Sequence, residues 1–578
     1  MILLPSSPLS SVEPNPGRKI PAQRANTINN AVTRVIVAVF ATRSVLGKFF
    51  PLLIFTATVS AEPLPKPVCE HVLLVVWDGM RPDFIREDLT PNAWSLVKRG
   101  TFFAKNHSSY ITTTEVNGTT IATGMKPHHH GIFANSEYRP DLNLAFPIAT
   151  QDALSIRVGD ALRGGKWLLA PTIAETVRKA GGTTAIAGTK EVALLHDRAF
   201  DRTGAAPHIF QGKTRPLAHL KSLTEAIGPW PKIPADNAAY SAGQEMPDDW
   251  QPSSNTAQNR WTTRALVEHE WKNSIPRFST LWLGDPDYSQ HLTEPGSPTA
   301  LAAIQDSDRH LGLALAELEK RGVLDKTNVF LVSDHAFSTL ERPVALGKRL
   351  AAWGSSTAAK RFLVVSRFRG TPRPEEVLLI TTGGSSFFYV QRKDPVIIAE
   401  IVDWLQRSDF AGPVFTKDGA NGTFKLSDVF IDTPDAPDIV MSASWSGKTN
   451  AYNVPGLLAG DGKLPGGTHG SLSEWCIRNT LLAAGPDIRR GFRDELPSGN
   501  VDVAPTILHL LGITPTVAMD GRILAEALDE KHKPPVPETK RIEATRELSD
   551  GRTWKQYLQF TTLGDAVYLD QGNSNATQ

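Results

Sequence analysis

The stretch HVLLVVWDGM, residues 71–80, gives the first expectation about the fold. Six consecutive apolar residues, 72–77, come before an aspartate and a glycine, which is typical of a strand buried on both faces that ends in a turn. Two later runs, FSTLWL at 278–283 and NVFLVS at 328–333, are also followed closely by acidic residues. Because α/β sheets bind ligands beyond the carboxyl ends of their strands, these acidic residues are candidates for a functional site.

Helical patterns alternate with the strand-like runs along most of the chain. Runs at 183–188 and 480–485 are also typical of buried strands. Residues 298–322 have apolar positions at helical spacing, with Ser297 as the expected N-cap and Gly322 at the end. This alternation indicates an α/β fold with a doubly wound, mostly parallel sheet and helices on both faces.

Two segments interrupt the alternation, and they divide the chain. Residues 196–270 and 338–470 are rich in Pro, Gly, Asn and Trp, so we expect inserted segments that cap the active-site edge. We assign the catalytic domain to residues 66–530. Residues 531–578 are expected to form a linker and a C-terminal hairpin extension.

Residues 1–61 are expected to be a signal peptide with an N-terminal extension. An apolar run at 49–58 follows basic residues and is followed by Val59-Ser60-Ala61, where small residues suit a signal peptidase. We expect cleavage after Ala61 and a periplasmic or secreted protein. The apolar run is shorter than the ~20 residues that span a membrane. The alternative interpretation of this segment is an uncleaved amphipathic anchor.

Charge and cysteine content narrow the function classes. The chain has 61 Lys and Arg against 60 Asp and Glu, so it has no basic excess that would indicate a nucleic-acid partner. The two cysteines, Cys69 and Cys476, fit an exported protein with one disulfide, and equally two buried thiols. The expected partner is therefore a small molecule bound at a site, and the oligomeric state stays open.

Residues of metal-binding and nucleophilic type recur near the predicted strand ends. Any one of them alone would be more simply explained as a turn, a cap or a surface residue. Together, ordered along the chain, they favour a metal site around a hydroxyl nucleophile. The set is Asp78, Thr114, Asp287, His291, Asp334, His335 and His469.

The sequence around the candidate threonine resembles a known family. A tyrosine, a threonine, an asparagine three residues later, Thr-Gly and His-Gly-Ile occur at Tyr110, Thr114, Asn117, 123–124 and 130–132. This pattern is similar to the alkaline phosphatase superfamily, most closely its type I phosphodiesterase/nucleotide pyrophosphatase family. The resemblance extends over about residues 68–528.

This resemblance implies an exported hydrolase with two Zn²⁺ ions. Asp287, His291 and His469 would hold one ion, and Asp78, Asp334 and His335 the other, with Thr114 as a further ligand. Carboxylate and imidazole suit zinc, and two ions can neutralise the attacking and leaving oxygens of a phosphodiester.

Thr114 would attack phosphorus and form a covalent intermediate, aided by its place at a helix N-terminus. Asn117 would donate to a non-bridging oxygen. Thr112 and Thr113 remain alternative nucleophiles. Among His128, His129 and His130, only His130 matches a family position, and we expect it to be structural.

The substrate class depends on Lys190. Some threonine-dependent monoesterases of the superfamily carry a Lys-x-Arg pair after a comparable strand, whereas here Lys190 is followed by Val192. This difference favours phosphodiesters or nucleotide pyrophosphates over dianionic monoesters, although Lys190 could equally be a solvated surface residue.

Alternative functions remain within and outside this chemistry. A phosphomonoesterase or a phosphonate (C–P) hydrolase would use the same two metals. A binding protein on an inactive fold would be expected to lack a ligand, and all six protein ligands are present. A sulfatase is disfavoured because the region after Asp78 lacks a Cys/Ser-x-Pro-x-Arg signature.

Overall fold

The stretch His71–Trp77 forms a strand that is central in a nine-stranded sheet, as predicted. The computed structural model describes residues 64–198, 208–231, 255–356 and 362–577. The expected signal peptide, residues 1–61, lies outside the described residues. Within the described ranges, no helix is both long enough and apolar enough to cross a membrane.

The strands of the described residues are, in chain order, β1 (His71–Trp77), β2 (Gly100–His107), β3 (Ser136–Glu137), β4 (Ile148–Ala149), β5 (Thr184–Gly188), β6 (His208–Phe210), β7 (Lys213–Arg215), β8 (Phe278–Leu283), β9 (Thr327–Val332), β10 (Ser338–Pro343), β11 (Leu363–Val365), β12 (Glu376–Thr382), β13 (Ser385–Val390), β14 (Ala411–Thr416), β15 (Phe424–Lys425), β16 (Ile439–Ala443), β17 (Trp445–Thr449), β18 (Pro455–Gly460), β19 (Gly467–Thr468), β20 (Leu481–Ala484), β21 (Phe492–Gly499), β22 (Glu538–Glu547), β23 (Thr553–Leu563) and β24 (Ala566–Thr577).

The α-helices are α1 (Pro91–Arg99), α2 (Thr114–Thr123), α3 (Pro127–His130), α4 (Ala153–Leu162), α5 (Ile173–Lys179), α6 (His219–Ile227), α7 (Thr256–Arg264), α8 (Asp287–Leu292), α9 (Pro298–Lys320), α10 (Leu346–Ser356), α11 (Pro395–Gln406), α12 (Glu474–Ile477) and α13 (Val503–Leu510). Helix α7 continues directly into a π-helical segment, Ala265–Glu270. Short 3₁₀ turns include Pro82–Phe84 and Glu191–Leu195.

The main sheet is mostly parallel and doubly wound, which confirms the predicted fold class. Its strand order is β21-β2-β20-β9-β1-β8-β5-β6-β7. Strand β1 pairs in parallel with β8 on one side and β9 on the other, so that Val76 lies opposite both Trp282 and Val332. The carboxyl ends of these three strands therefore meet at one edge of the sheet.

Helices cover both faces because β1 is apolar on both sides. Leu74 and its neighbours on one face pack in a core with residues of α2, α5 and α13. Val75 and its neighbours on the other face pack with residues of α1, α7 and α9. Helix α9 begins where the sequence predicts, since the Ser297 hydroxyl accepts a hydrogen bond from the backbone N–H of Ala300 at 3.2 Å.

The second segment expected as an insertion, residues 338–470, contains all of the strands β10–β19. These strands form a four-stranded sheet, β17-β18-β10-β19, and a six-stranded sheet, β11-β12-β13-β16-β14-β15. The described residues of the first segment, 196–270, belong to the main sheet and its helical layer rather than to a separate cap. They add β6 and β7 to the main sheet and pack α7 against one of its faces.

The C-terminal residues form a three-stranded sheet, β22-β23-β24, where the sequence analysis expected a linker and a hairpin. Strand β22 begins at Glu538, so the segment between the catalytic domain and this sheet covers only residues 531–537. Gln556 of β23 fastens this sheet to β14: its side chain accepts from the N–H of Val414 at 2.8 Å and donates to the same residue's carbonyl at 3.2 Å.

Both cysteines are free thiols, which answers the question that the sequence left open. The Cys69 thiol lies 3.3 Å from the carbonyl oxygen of Leu510. Cys476 is buried, with its sulfur 3.2 Å and 3.3 Å from the hydroxyls of Ser338 and Ser471.

Candidate active site

The carboxyl edge of the main sheet gathers the predicted ligands into two adjoining groups. Asp78 follows β1, Asp334 and His335 follow β9, and Asp287 begins α8 just after β8. His469 comes from outside this sheet, directly after β19. All five side chains are buried.

The first group consists of Asp78, Asp334 and His335. The Nε2 atom of His335 lies 3.3 Å from Asp334 Oδ2 and 3.7 Å from Asp78 Oδ1. Both of these carboxylate oxygens are buried and lack a hydrogen-bond partner among the described residues. A backbone N–H and an indole hold the other oxygens, because Gly79 donates to Asp334 Oδ1 at 3.1 Å and Trp282 donates to Asp78 Oδ2 at 3.0 Å.

The second group consists of Asp287, His291 and His469. Asp287 Oδ1 lies 3.3 Å from Nε2 of His291 and 3.4 Å from Nε2 of His469. The two Nε2 atoms are 3.2 Å apart. Asp287 Oδ1 is also buried without a hydrogen-bond partner in the described part of the chain. His291 is the most exposed member of the group, with 42% of its side chain accessible.

Backbone carbonyls orient all three imidazoles in the same way. The Nδ1 atoms of His291, His335 and His469 lie 3.1, 3.1 and 2.9 Å from the carbonyl oxygens of Gly467, Ala336 and Thr112, respectively. Since a carbonyl only accepts, each Nδ1 carries the proton and each Nε2 presents a lone pair to the carboxylates. Burial lowers the pKa of His335 to about 3 and that of His469 to about 4, so both rings are neutral at neutral pH.

This donor set fits divalent metal ions. Three buried carboxylate oxygens without hydrogen-bond donors face imidazole lone pairs, which is an unfavourable arrangement unless cations lie between them. The ligand atoms of Asp78, Asp334 and His335 lie within 4.8 Å of one another, as do those of Asp287, His335 and His469. Imidazole and carboxylate together are the ligands typical of zinc in catalytic sites.

Lys190 supplies the positive charge between the two groups. Its ammonium nitrogen lies 2.9 Å from Asp78 Oδ2 and 2.6 Å from Asp287 Oδ2. Although burial opposes ionisation, the positive charge of Lys190 holds the pKa of Asp287 well below its usual range. The sequence leaves Lys190 as either a candidate for binding a substrate phosphate or a solvated residue, and the structure gives it these two carboxylates as partners.

Thr114 is the first residue of α2 and lies at the junction of the two groups. Its hydroxyl is 3.3 Å from Nε2 of His335 and donates to that lone pair. The first N–H groups of a helix have no partners within the helix, and they give its N-terminus a partial positive charge. Thr114 therefore combines a hydroxyl with a helix end suited to an anion.

The neighbouring threonines have structural partners or a different position. The Thr112 hydroxyl donates to the carbonyl of Ser471 at 3.0 Å. Thr113 is the N-cap residue of α2, and its buried hydroxyl has no hydrogen-bond partner among the described residues. Of the three threonines, Thr114 is the one whose hydroxyl is hydrogen-bonded to a candidate ligand.

Asn117, three residues after Thr114, has its side chain hydrogen-bonded to the loop before α2. Its amide donates to the carbonyls of Ser109, Ile111 and Thr113 at 3.0, 3.3 and 3.3 Å, and its Oδ1 accepts from the N–H of Ser109 at 2.7 Å. These bonds commit the side chain to the loop before α2. Donation from Asn117 to a non-bridging oxygen of the substrate stays a prediction.

Asn135 is a candidate that sequence reasoning missed. Its Oδ1 accepts from the N–H of Glu115 at 3.2 Å, which places the half-buried amide next to the first turn of α2. With the oxygen held there, the amide N–H₂ group keeps donors for a ligand. No local pattern marks Asn135, because it reaches α2 only through the turn of the intervening chain.

Glu115 adds an unpredicted carboxyl group beside Thr114. Burial raises its pKa to about 7, and its Oε2 lacks a hydrogen-bond partner within the described ranges.

The histidine run after α2 is separate from the two ligand groups. His130 is buried, with its Nε2 3.2 Å from the hydroxyl of Thr120, in agreement with a structural role. His129 is paired with Asp520, and the ring of His128 stacks near Phe430.

Val192 faces the core. Position 192 therefore does not correspond to the arginine of a phosphate-binding Lys-x-Arg pair, as the sequence comparison assumed. Its side chain is fully buried in the same cluster as Trp282. It packs so closely on α2 that a Cβ added to Gly118 would lie 2.6 Å from Val192 Cγ2. A side chain at position 192 therefore does not reach the ligand groups.

Comparisons with known proteins agree with this geometry. The sequence model of the type I phosphodiesterase/nucleotide pyrophosphatase family matches residues 72–472, which include every ligand named above. The chain belongs to this family.

Similar curated proteins include venom phosphodiesterase 2 of Crotalus adamanteus, 25% identical over 273 residues that cover 46% of this chain and 27% of the venom protein. The chain thus spans about a quarter of that relative's length. The bis(5'-adenosyl)-triphosphatase enpp4 of Mus musculus is 22% identical over 448 residues, 77% of this chain and 78% of the mouse protein.

Solved structures share the fold. Murine ectonucleotide pyrophosphatase/phosphodiesterase 5 aligns with a TM-score of 0.53 and 18% identity, covering 79% of this chain and all of the murine chain. An inactive variant of the same murine protein, in complex with AMP, aligns with a TM-score of 0.52 and 17% identity over 80% of this chain.

Placing arginine at position 192 tests the position of Val192. We expect Val192→Arg to lower the free energy of unfolding by about 3 kcal/mol or more, because it overfills the core and buries an unpaired charge. Val536→Arg is the matched control, since Val536 is 83% exposed and its replacement should cost under about 0.5 kcal/mol. Denaturant unfolding of both variants measures the difference; equal stability would contradict the buried position.

Proposed function

We propose that this protein is an exported two-zinc hydrolase that cleaves phosphodiester or nucleotide pyrophosphate bonds through a covalent phosphothreonine. The observation that carries the proposal is the position of Thr114, whose hydroxyl begins a helix and contacts His335 where the two ligand groups adjoin. Family membership supports the same class of reaction.

One ion would be held by Asp78, Asp334 and His335, and the other by Asp287, His291 and His469. The buried oxygens without donors support this division, as do the distances of 3.3 Å and 3.4 Å from Asp287 Oδ1 to Nε2 of His291 and His469. When bound, two such ions lower the pKa of a hydroxyl and neutralise charge on the attacking and leaving oxygens. Zinc is proposed because of the mixed imidazole and carboxylate ligands.

The residues of the chain provide the nucleophile and the anion site. The Thr114 oxygen attacks phosphorus, a new P–O bond forms, and the bond to the leaving-group oxygen breaks. Water then attacks the phosphothreonine and releases the second product. The N-terminus of α2 and the amide of Asn135 are positioned to donate hydrogen bonds to non-bridging oxygens.

A substrate with a single negative charge on the reacting phosphorus suits the charges of the site. Lys190 is the only Lys or Arg that forms an ion pair with the described ligand carboxylates. The relatives' names point to nucleotide substrates, since one is a bis(5'-adenosyl)-triphosphatase and a similar structure holds AMP. We therefore favour phosphodiesters and nucleotide pyrophosphates over phosphomonoesters and phosphonates.

Export is part of the proposal and depends on the sequence alone. The small residues 59–61 after an apolar run favour cleavage at Ala61 and a periplasmic or secreted enzyme.

Two histidine substitutions distinguish the proposed ligands from their neighbours. We expect His469→Ala to reduce phosphodiesterase kcat/KM by about 100-fold or more, because it removes a ligand, and to reduce bound zinc. His128→Ala should leave both within about twofold, since His128 lies outside the ligand groups. Chelation should inactivate the wild type and added zinc should restore it. Equal losses in the two variants would show that the ligands are wrongly chosen.

Thr114 substitutions test the covalent step. Thr114→Ala should lower kcat by roughly 1,000-fold or more without unfolding the protein, because the nucleophile is lost while little core packing is. Thr114→Ser should keep partial activity, and acid quenching during turnover should trap a phosphorylated residue at position 114 by mass spectrometry. A fully active Thr114→Ala enzyme would end the proposed mechanism.

A panel of three substrates tests the reaction class. An aryl phosphodiester should give a higher kcat/KM than the corresponding aryl phosphomonoester, and phosphonoacetate should be cleaved more slowly than either. A large preference for the monoester would reverse the substrate assignment while leaving the threonine mechanism in place. No turnover of any substrate by the zinc-loaded protein would instead favour a binding protein.

A further inference from the structure

A second cluster of metal-ligating side chains lies outside the active site, on helix α6 and the π-helical segment that follows α7. Glu270 Oε1 lies 2.6 Å from Nε2 of His219 and 2.9 Å from Nδ1 of His269. The three ligand atoms lie within 4.8 Å of one another, and the two rings meet edge to face with centroids 4.9 Å apart. Two imidazoles and one carboxylate match a ligand set that binds zinc.

The buried carboxylate of Glu270 favours a cation in this cluster. Only 5% of the Glu270 side chain is exposed, and in the described part of the chain it has no lysine or arginine within ion-pair distance. Both ring nitrogens converge on the same carboxylate oxygen. A carboxylate this buried is stabilised by positive charge, and a cation held by the three ligand atoms would supply it.

The backbone that carries the three side chains is firmly held. Trp271, directly after Glu270, is fully buried, and its indole donates to the Ser279 hydroxyl of β8 at 3.0 Å. Helix α6 is fastened to α7 by Trp261, which donates to the carbonyl of Gly228 at 2.9 Å, and by Arg264, which donates to that of Ile227 at 3.1 Å. The ligands are thus presented by two docked helices, and 17% exposure of each histidine leaves access for an ion.

The cluster lies at the opposite end of α7 from the catalytic edge. Near the start of α7, the Asn259 side chain accepts from the N–H of Gly284, just beyond the carboxyl end of β8. At the other end, Trp271 contacts Ser279 near the amino end of the same strand. Glu270 lies eleven positions after Asn259 along the helix, a distance of roughly 16 Å, which is far more than the ~4 Å between paired catalytic ions.

We propose that His219, His269 and Glu270 bind one divalent transition-metal ion, zinc in the first instance, as a structural site that joins α6 to α7. A zinc ion about 2.0–2.1 Å from each ligand atom requires nitrogen-to-oxygen separations of about 3.3 Å, so the side chains open by about 0.5 Å on binding. The remaining coordination position is open to water. The site takes no part in phosphoryl transfer and does not depend on the proposed function.

A zinc count on the intact protein tests this proposal. Wild type, His219→Gln and His269→Gln are dialysed against the same zinc buffer, passed through a desalting column, and analysed for zinc per chain. Each variant should hold one ion fewer than the wild type while phosphodiesterase kcat/KM stays within about twofold. His129→Gln is the control, because His129 belongs to a more exposed His-Asp group and should keep the full count.

The difference in count separates this site from the catalytic ions. If the catalytic site binds no zinc, the wild type still holds one ion more than either variant. Should one variant fail to fold, the other carries the test. An unchanged count in the folded variants, or loss of the extra ion in His129→Gln instead, would overturn the proposal and leave an imidazolium as the counter-ion of Glu270.

Discussion

The convergence of buried carboxylates at one sheet edge is the constraint on which the rest of this structure depends. Asp78, Asp287 and Asp334 are brought together because β1, β8 and β9 run parallel and end side by side. Burial and the neighbouring Asp334 raise the pKa of Asp78 well above its usual range, and burial raises that of Asp334 to about 6. The edge is stable only with compensating positive charge, which Lys190 provides in this structure and metal ions would provide in the enzyme.

The elements around this edge complete the site in different ways. The main sheet supplies the carboxylates, whereas the outer four-stranded sheet brings His469 from a distant part of the chain. Backbone carbonyls at Thr112, Ala336 and Gly467 select the imidazole tautomer that presents Nε2 to the carboxylates. Helix α2 adds Thr114, the proposed nucleophile, at its N-terminus. The fold therefore sets the geometry of the candidate site in three ways: strand ends place the carboxylates, loop carbonyls orient the imidazoles, and the start of α2 places the threonine.

Local sequence predicted the parts of the fold that local physics governs. The buried runs of β1, β8 and β9 and the cap of α9 were predicted within one or two residues, because apolar runs and capping residues act at short range. The candidate ligands Asp78, Asp334 and His335 were predictable because they directly follow β1 and β9. Asn135, the inward side chain of Val192 and the sheet strands β6 and β7 were missed, since tertiary packing decides their positions and no short pattern encodes it.

In the zinc-loaded enzyme, we expect two metal ions to replace Lys190 as the main partners of the clustered carboxylates. A crystal structure of that form, with anomalous diffraction at the zinc edge, measures this directly. Two anomalous peaks are expected about 4 Å apart, one bordered by Asp78, Asp334 and His335, the other by Asp287, His291 and His469. Zinc-loaded, active crystals in which neither peak is present and the Lys190 ammonium still bridges Asp78 and Asp287 would contradict a two-metal site.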